Sequence, residues 1–106
     1  MADEPTNARK SFGDIAPKLA EITDKVLFGD VWVDEALSPR DRSLVTITNL
    51  VALYRHNELR FHLRKGVENG LTKEEIVAAI THTAFYAGWP CAMTAIGVAR
   101  EALKAA

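Results

Sequence analysis

The stretch RHNELRFHL, residues 55 to 63, sets a carboxylate and an imidazole four positions apart, with a guanidinium one turn before them. On a helix, Glu58 and His62 would share a face, their Cβ atoms about 6 Å apart. Such a pair can be a solvated surface contact worth a few tenths of a kcal/mol. It can also be an acid–base pair. Glu58 and His62 flank Leu59 and Leu63, whose face should be largely buried. Burial at such an edge shifts the pKa of both groups, raising the carboxyl and lowering the imidazole, and shifted groups of this kind suit proton transfer near neutral pH. As a metal site the pattern is weak, because Glu-x-x-x-His offers two ligands and no third is identifiable, so no metal is expected.

Other residues could join this chemistry. Arg42 carries a guanidinium, a group that matches a carboxylate bidentately. Arg42 falls in the first turn of a helix, a mildly unfavourable place for a cation, which suggests a partner such as a ligand carboxylate or Glu58. His82 and Tyr86 form a second i,i+4 pair, read either as an interior or interface contact or as part of a binding wall. Trp89 precedes Pro90 and fits an interface or a pocket wall. Cys91 opens a helix, where the dipole can lower a thiol pKa, but the reading favoured for the residue is a buried structural thiol.

The elements that must position these groups are helical. The ten residues MADEPTNARK are polar and read as a flexible N-terminus, followed by one domain over residues 11–106. From Ser11, the apolar residues Ile15, Leu19, Ile22, Val26 and Leu27 recur every three or four positions, one face of a helix, with Gly29 as its expected stop. Ser38-Pro-x-Asp41 is a start signal for a helix reaching about Tyr54. Arg55 to Asn69 continues in helical register until Asn69-Gly70. Thr72-x-x-Glu75 is a capping box opening a helix to about Ala87, and Gly88-Trp89-Pro90 precedes a last helix over 91–103. The expectation is an all-α protein of about five helices.

Composition narrows the function classes. Residues are 48% hydrophobic and 25% charged, and 13 basic residues against 14 acidic ones give a net charge of −1. No Lys/Arg-rich block suggests a nucleic-acid partner. No apolar run approaches the length of a membrane span, and no signal-peptide pattern opens the chain, so a cytoplasmic protein is expected. A single cysteine excludes an internal disulfide and a Cys-x-x-Cys redox motif. The helices at 39–54, 73–87 and 91–103 are rich in apolar and small residues, more surface than so small a bundle can bury, which points to a homo-oligomer.

Five pieces in one order carry a resemblance: Gly-Asp-x-Trp at 29–32, Arg-Ser-Leu-x-Thr-Ile at 42–47, Asn-Glu-Leu-x-x-His-Leu at 57–63, Asn-Gly-x-Thr-x-x-Glu-Ile at 69–76 and Ala-x-Tyr-x-Gly-x-Pro at 84–90. Over residues 29 to 90 the chain resembles the carboxymuconolactone decarboxylase family. That resemblance implies an alkyl hydroperoxidase D-like helical subunit in a homo-oligomeric ring, commonly a hexamer built as a trimer of dimers. The family's peroxidase-associated branch carries Cys-x-x-Cys-x-x-x-His and an upstream glutamate. Here those positions are Arg55, Glu58, His62 and Ser43, so only the histidine is kept. Without a dithiol, disulfide-exchange peroxidase chemistry has no resolving thiolate.

The decarboxylase branch fits better. It implies a cofactor-independent carboxy-lyase acting on a small lactone with two carboxylates, of the γ-carboxymuconolactone type found in aromatic catabolism. In that reading Arg42 and Arg55 clamp carboxylates, His62 donates the proton, and Glu58 orients or recharges it. His82, Tyr86 and Trp89 complete the candidate substrate-binding set. The alternatives are a family member with another small-molecule substrate, a single-cysteine antioxidant-type role through Cys91, or a ring-forming protein without catalysis.

Overall fold

Ser38 starts the part of the chain that carries the apolar core. A computed structural model describes residues 6–104, which form helices and turns, with no strand among them. They comprise six α-helices, α1 (Thr6–Phe12), α2 (Pro17–Ile22), α3 (Pro39–Ala52), α4 (His56–Glu68), α5 (Lys73–Ala87) and α6 (Trp89–Ala102), with a π-helical segment Thr23–Val31 after α2. The contacts divide the chain into two compact units, Met1–Leu37 and Ser38–Ala106.

In the second unit, local signals in the sequence become helix ends. The Ser38 hydroxyl accepts the Asp41 N–H at 3.1 Å and Pro39 fills the first turn, so α3 starts where its caps dictate. Thr72 and Glu75 close a reciprocal capping box, Oγ1 accepting the Glu75 N–H at 3.0 Å and Oε1 accepting the Thr72 N–H at 2.9 Å. Ile47, Val51, Leu59, Leu63, Ile76 and Ile80 are almost wholly buried and join α3, α4 and α5. Each such side chain contributes about 1.5–3 kcal/mol by leaving water. The α6 helix enters the same core through Ala92, Ala95, Val98 and Ala99, small side chains that let it lie close.

The expected continuation of α3 into α4 is corrected. The chain turns at Tyr54, which has φ +60°. The Tyr54 N–H donates to Val51 O and the Arg55 N–H to Leu50 O, the paired bonds of a Schellman ending. The end of α4 repeats this pattern: Gly70, with φ +111°, donates to Val67 O and Leu71 to Gly66 O. The last helix starts two residues earlier than expected, at Trp89.

The first unit departs further from the sequence reading. A helix, α1, begins within the polar segment expected to be flexible; residues 1–5 of that segment lie outside the described residues. The single helix expected from Ser11 is broken after Phe12, and Pro17 starts a new one. Gly29 does not stop the helix but lies inside the π-helical segment. There a Cβ would stand 2.9 Å from the Asp24 carbonyl oxygen, so the wide turn needs a glycine. Asp24 is 4% exposed and its Oδ1 accepts the Ala8 N–H at 3.2 Å, placing a carboxylate at the start of α1. Among the described residues, no helix is long and apolar enough to cross a membrane.

Candidate functional site

Two turns of α4 and the first turn of α3 hold four of the candidate residues. Arg42 is half-buried in the first turn of α3. Arg55 is the N-cap residue of α4 and is exposed, its side chain making no cap bond. Glu58 lies in the first turn of α4, where a carboxylate complements the helix dipole, and it too is exposed. His62 follows one turn later and is half-buried, with Nδ1 fully enclosed. The Phe61 ring meets its imidazole edge-on, centroids 4.9 Å apart.

Burial dominates the electrostatics of His62. Desolvation pushes its pKa below the ordinary imidazole value, the nearby Lys65 charge pushes it further down, and the Glu58 carboxylate opposes both. An imidazole in this state is neutral at pH 7 and a stronger acid once protonated, which suits a group that must give up a proton quickly. Glu58 and His62 are therefore coupled by charge, Glu58 exposed and His62 half-buried.

The remaining candidates sit elsewhere. His82 and Tyr86 are exposed on α5, ring centroids 5.0 Å apart and tilted by 34°. They edge an open groove of about 640 Å³ between α3 and α5, floored by Leu44, Val45, Thr48, Ala79 and Thr83. That groove does not include Arg42, Arg55, Glu58, His62 or Trp89. Trp89, at the start of α6, is 58% exposed and packs its edge on Phe85, centroids 5.3 Å apart. Thus the structure gathers Glu58 and His62 on one helix, His82 and Tyr86 in another place, and Trp89 in an aromatic patch with Phe85.

Cys91 is buried, and its Sγ donates to the Gly88 carbonyl oxygen at 3.0 Å. That bond and its burial place the sulfur away from solvent, in the surroundings of a structural rather than a reactive cysteine. Among the described residues, no three of His, Cys, Asp and Glu cluster closely enough to hold a metal ion.

Sequence reasoning missed a set of ties around Arg42. Asn69 Nδ2 donates to Ser43 Oγ at 2.9 Å, and Arg40 Nη2 donates to Glu75 Oε2 at 2.6 Å. The Glu75 carboxyl is held below the usual carboxylate range, first by the Thr72 N–H and then by Arg40. Glu75 was legible as a capping residue, but its second partner lies 35 positions away, beyond any local signal.

All-helical described residues with a carboxylate and a half-buried imidazole one turn apart on α4, and no dithiol, define the class of protein to be compared. Comparison with known proteins gives that class its family. The family model for the carboxymuconolactone decarboxylase family matches residues 17–101, and the chain belongs to that family. It is 38% identical over 95 residues to a 4-carboxymuconolactone decarboxylase of Acinetobacter baylyi, covering 90% of this chain and 71% of that protein. It is 31% identical over 84 residues to a nitrosuccinic acid decarboxylase of Metarhizium robertsii, covering 79% of this chain and 59% of that protein. Both relatives are named decarboxylases, so the enzyme class the comparisons support is a carboxy-lyase.

Proposed function

We propose that this chain is a cofactor-independent decarboxylase of a small carboxylated lactone of the γ-carboxymuconolactone type. The observation that carries the reading is His62, sheltered, pushed toward the neutral form and coupled to Glu58 one turn away, in a chain similar to two decarboxylases. Arg42 and Arg55 bind the substrate's two carboxylates. The bond to one carboxylate carbon breaks, CO₂ leaves, and the electron pair spreads into the ring as an enolate-like anion. The His62 imidazole takes up a proton from solvent before each turnover, with Glu58 stabilising the imidazolium so formed, and the imidazolium delivers that proton to carbon, returning to the neutral form. His82, Tyr86 and Trp89 contribute to substrate binding in the assembled protein, which we take to be a homo-oligomer, a hexamer in the family's manner.

A second reading keeps the chemistry and changes the substrate. The nitrosuccinic acid decarboxylase relative favours an open-chain dicarboxylate, for which the same two arginines and the same proton donor would serve. A single-cysteine redox role is disfavoured by the buried, hydrogen-bonded state of Cys91. Turnover of the two substrates side by side decides between the first two readings. The lactone reading expects CO₂ release from γ-carboxymuconolactone and little from nitrosuccinate. The reverse order of rates would assign the open-chain acid, and no CO₂ from either would set both aside.

A further inference from the structure

Arg42 lies between two residues held by one short connection. Ser43 is fully buried and accepts the Asn69 Nδ2 hydrogen bond at 2.9 Å. Arg40 meets Glu75 Oε2 at 2.6 Å. Asn69 ends α4 and Glu75 lies in the first turn of α5, so both ties issue from the Asn69–Glu75 connection.

That connection is itself closely specified. Gly70 supplies φ +111°, Leu71 is 2% exposed with its N–H on Gly66 O at 2.9 Å, and Glu75 Oε1 takes the Thr72 N–H. One carboxylate therefore holds the cap of α5 with one oxygen and the start of α3 with the other. The helices also meet closely here. A Cβ on Gly66 would stand 2.9 Å from Ile47 Cδ1 and 3.8 Å from Ser43 Cβ. As a surface ion pair, Arg40–Glu75 adds little to stability. Its geometric consequence is larger: with Ser43–Asn69 it pins the first turn of α3 on both sides of Arg42.

We infer that the Asn69–Glu75 connection positions Arg42, with Asn69 and Glu75 acting as positioning residues for the arginine that binds a substrate carboxylate. This rests on the carboxylate-binding role of Arg42 proposed above. A guanidinium–carboxylate pair needs both forks aligned, and a displacement of about 1 Å at such a contact can cost about a hundredfold.

The test is a set of double variants read by binding and by turnover. Succinate serves as the dicarboxylate probe in titration calorimetry, beside kcat/KM on the lactone. Asn69→Ala and Glu75→Gln should each weaken succinate binding about tenfold while thermal unfolding stays cooperative. Placed on Arg42→Ala, neither should cost anything more, because the group they position is gone. Ser43→Ala removes the same tie from the other side and should reproduce Asn69→Ala, should that variant fail to fold. Equal losses in the wild-type and Arg42→Ala backgrounds would overturn the inference and assign the ties to stability. Wild-type protein that does not bind succinate would overturn it too. The full succinate pattern without lactone turnover would keep the inference and remove the lactone substrate, so the two failures are separable.

Discussion

His62 concentrates the chemistry at the residue scale because three effects on its pKa have different signs. Burial lowers it most, Lys65 lowers it further and Glu58 raises it. Removing the Glu58 charge should move the imidazole titration to lower pH, and removing the Lys65 charge should move it to higher pH. Side-chain NMR titration of Glu58→Gln and Lys65→Gln checks both directions, and a midpoint unmoved by either would show that neither charge reaches the ring. The stability consequence has a definite sign. The native imidazole titrates below its ordinary value of about 6.5, so the unfolded chain takes up the proton first. His62 then costs nothing above that pH and destabilises the fold progressively as pH falls below it. Between about pH 7 and pH 5 the wild type should lose more unfolding free energy than His62→Gln. The sequence revealed this pair through spacing alone, but not its asymmetry, since exposure of Glu58 and shelter of His62 depend on what packs around α4.

At the scale of elements, the sequence was most legible where a helix end is written locally. Ser38, Thr72 and Glu75 take the cap bonds their types suggested, and Gly70 takes the positive φ. The two Schellman endings show where legibility stops. Gly70 announces its turn, whereas Tyr54 performs the same turn with a residue that gives no such signal. The left-handed conformation costs a non-glycine residue about 1–2 kcal/mol. The Tyr54 ring recovers some of this through its edge contact with His56, centroids 5.3 Å apart. Tyr54→Gly should therefore raise the unfolding free energy by about 0.5–1 kcal/mol in denaturant titration. A loss of that size would show that the ring contact outweighs the strain. In the first unit, the 3.6-residue periodicity suggested one long helix, but that pattern does not register a switch to π spacing. The switch is marked only by the glycine that the Asp24 carbonyl approaches. The aligned apolar residues Ile15, Leu19 and Ile22 are 83%, 58% and 46% exposed, so their periodicity did not predict burial.

The whole molecule leaves a surplus of apolar surface, as its composition suggested. Phe85 is 70% exposed, Tyr86 81%, Met93 64% and Trp89 58%, all on α5 and α6. Exposed aromatic surface of this extent on a small protein, including the packed Phe85–Trp89 pair, signals an interaction site, and self-association is the occupant we propose. Light scattering on the eluting protein should then give a multiple of 11.7 kDa. Trp89→Glu should shift it toward the monomer while far-ultraviolet circular dichroism stays helical. A wild-type monomer at micromolar concentration would remove the proposed ring, and with it any completion of the site by a neighbour. The site was the least legible part of the chain. Spacing put Glu58 and His62 one turn apart on one helix, as they stand, but the separation of His82 and Tyr86 from them, and the ties that flank Arg42, follow from packing between helices far apart in sequence.

In the function we propose, His62 gives the proton that replaces CO₂. The direct measurement is the rate of CO₂ release from γ-carboxymuconolactone by wild type and by His62→Ala, both checked for the same assembly state. The wild type should turn over, and the variant should lose about 10²–10⁴-fold in kcat. Equal rates from the two proteins would contradict it.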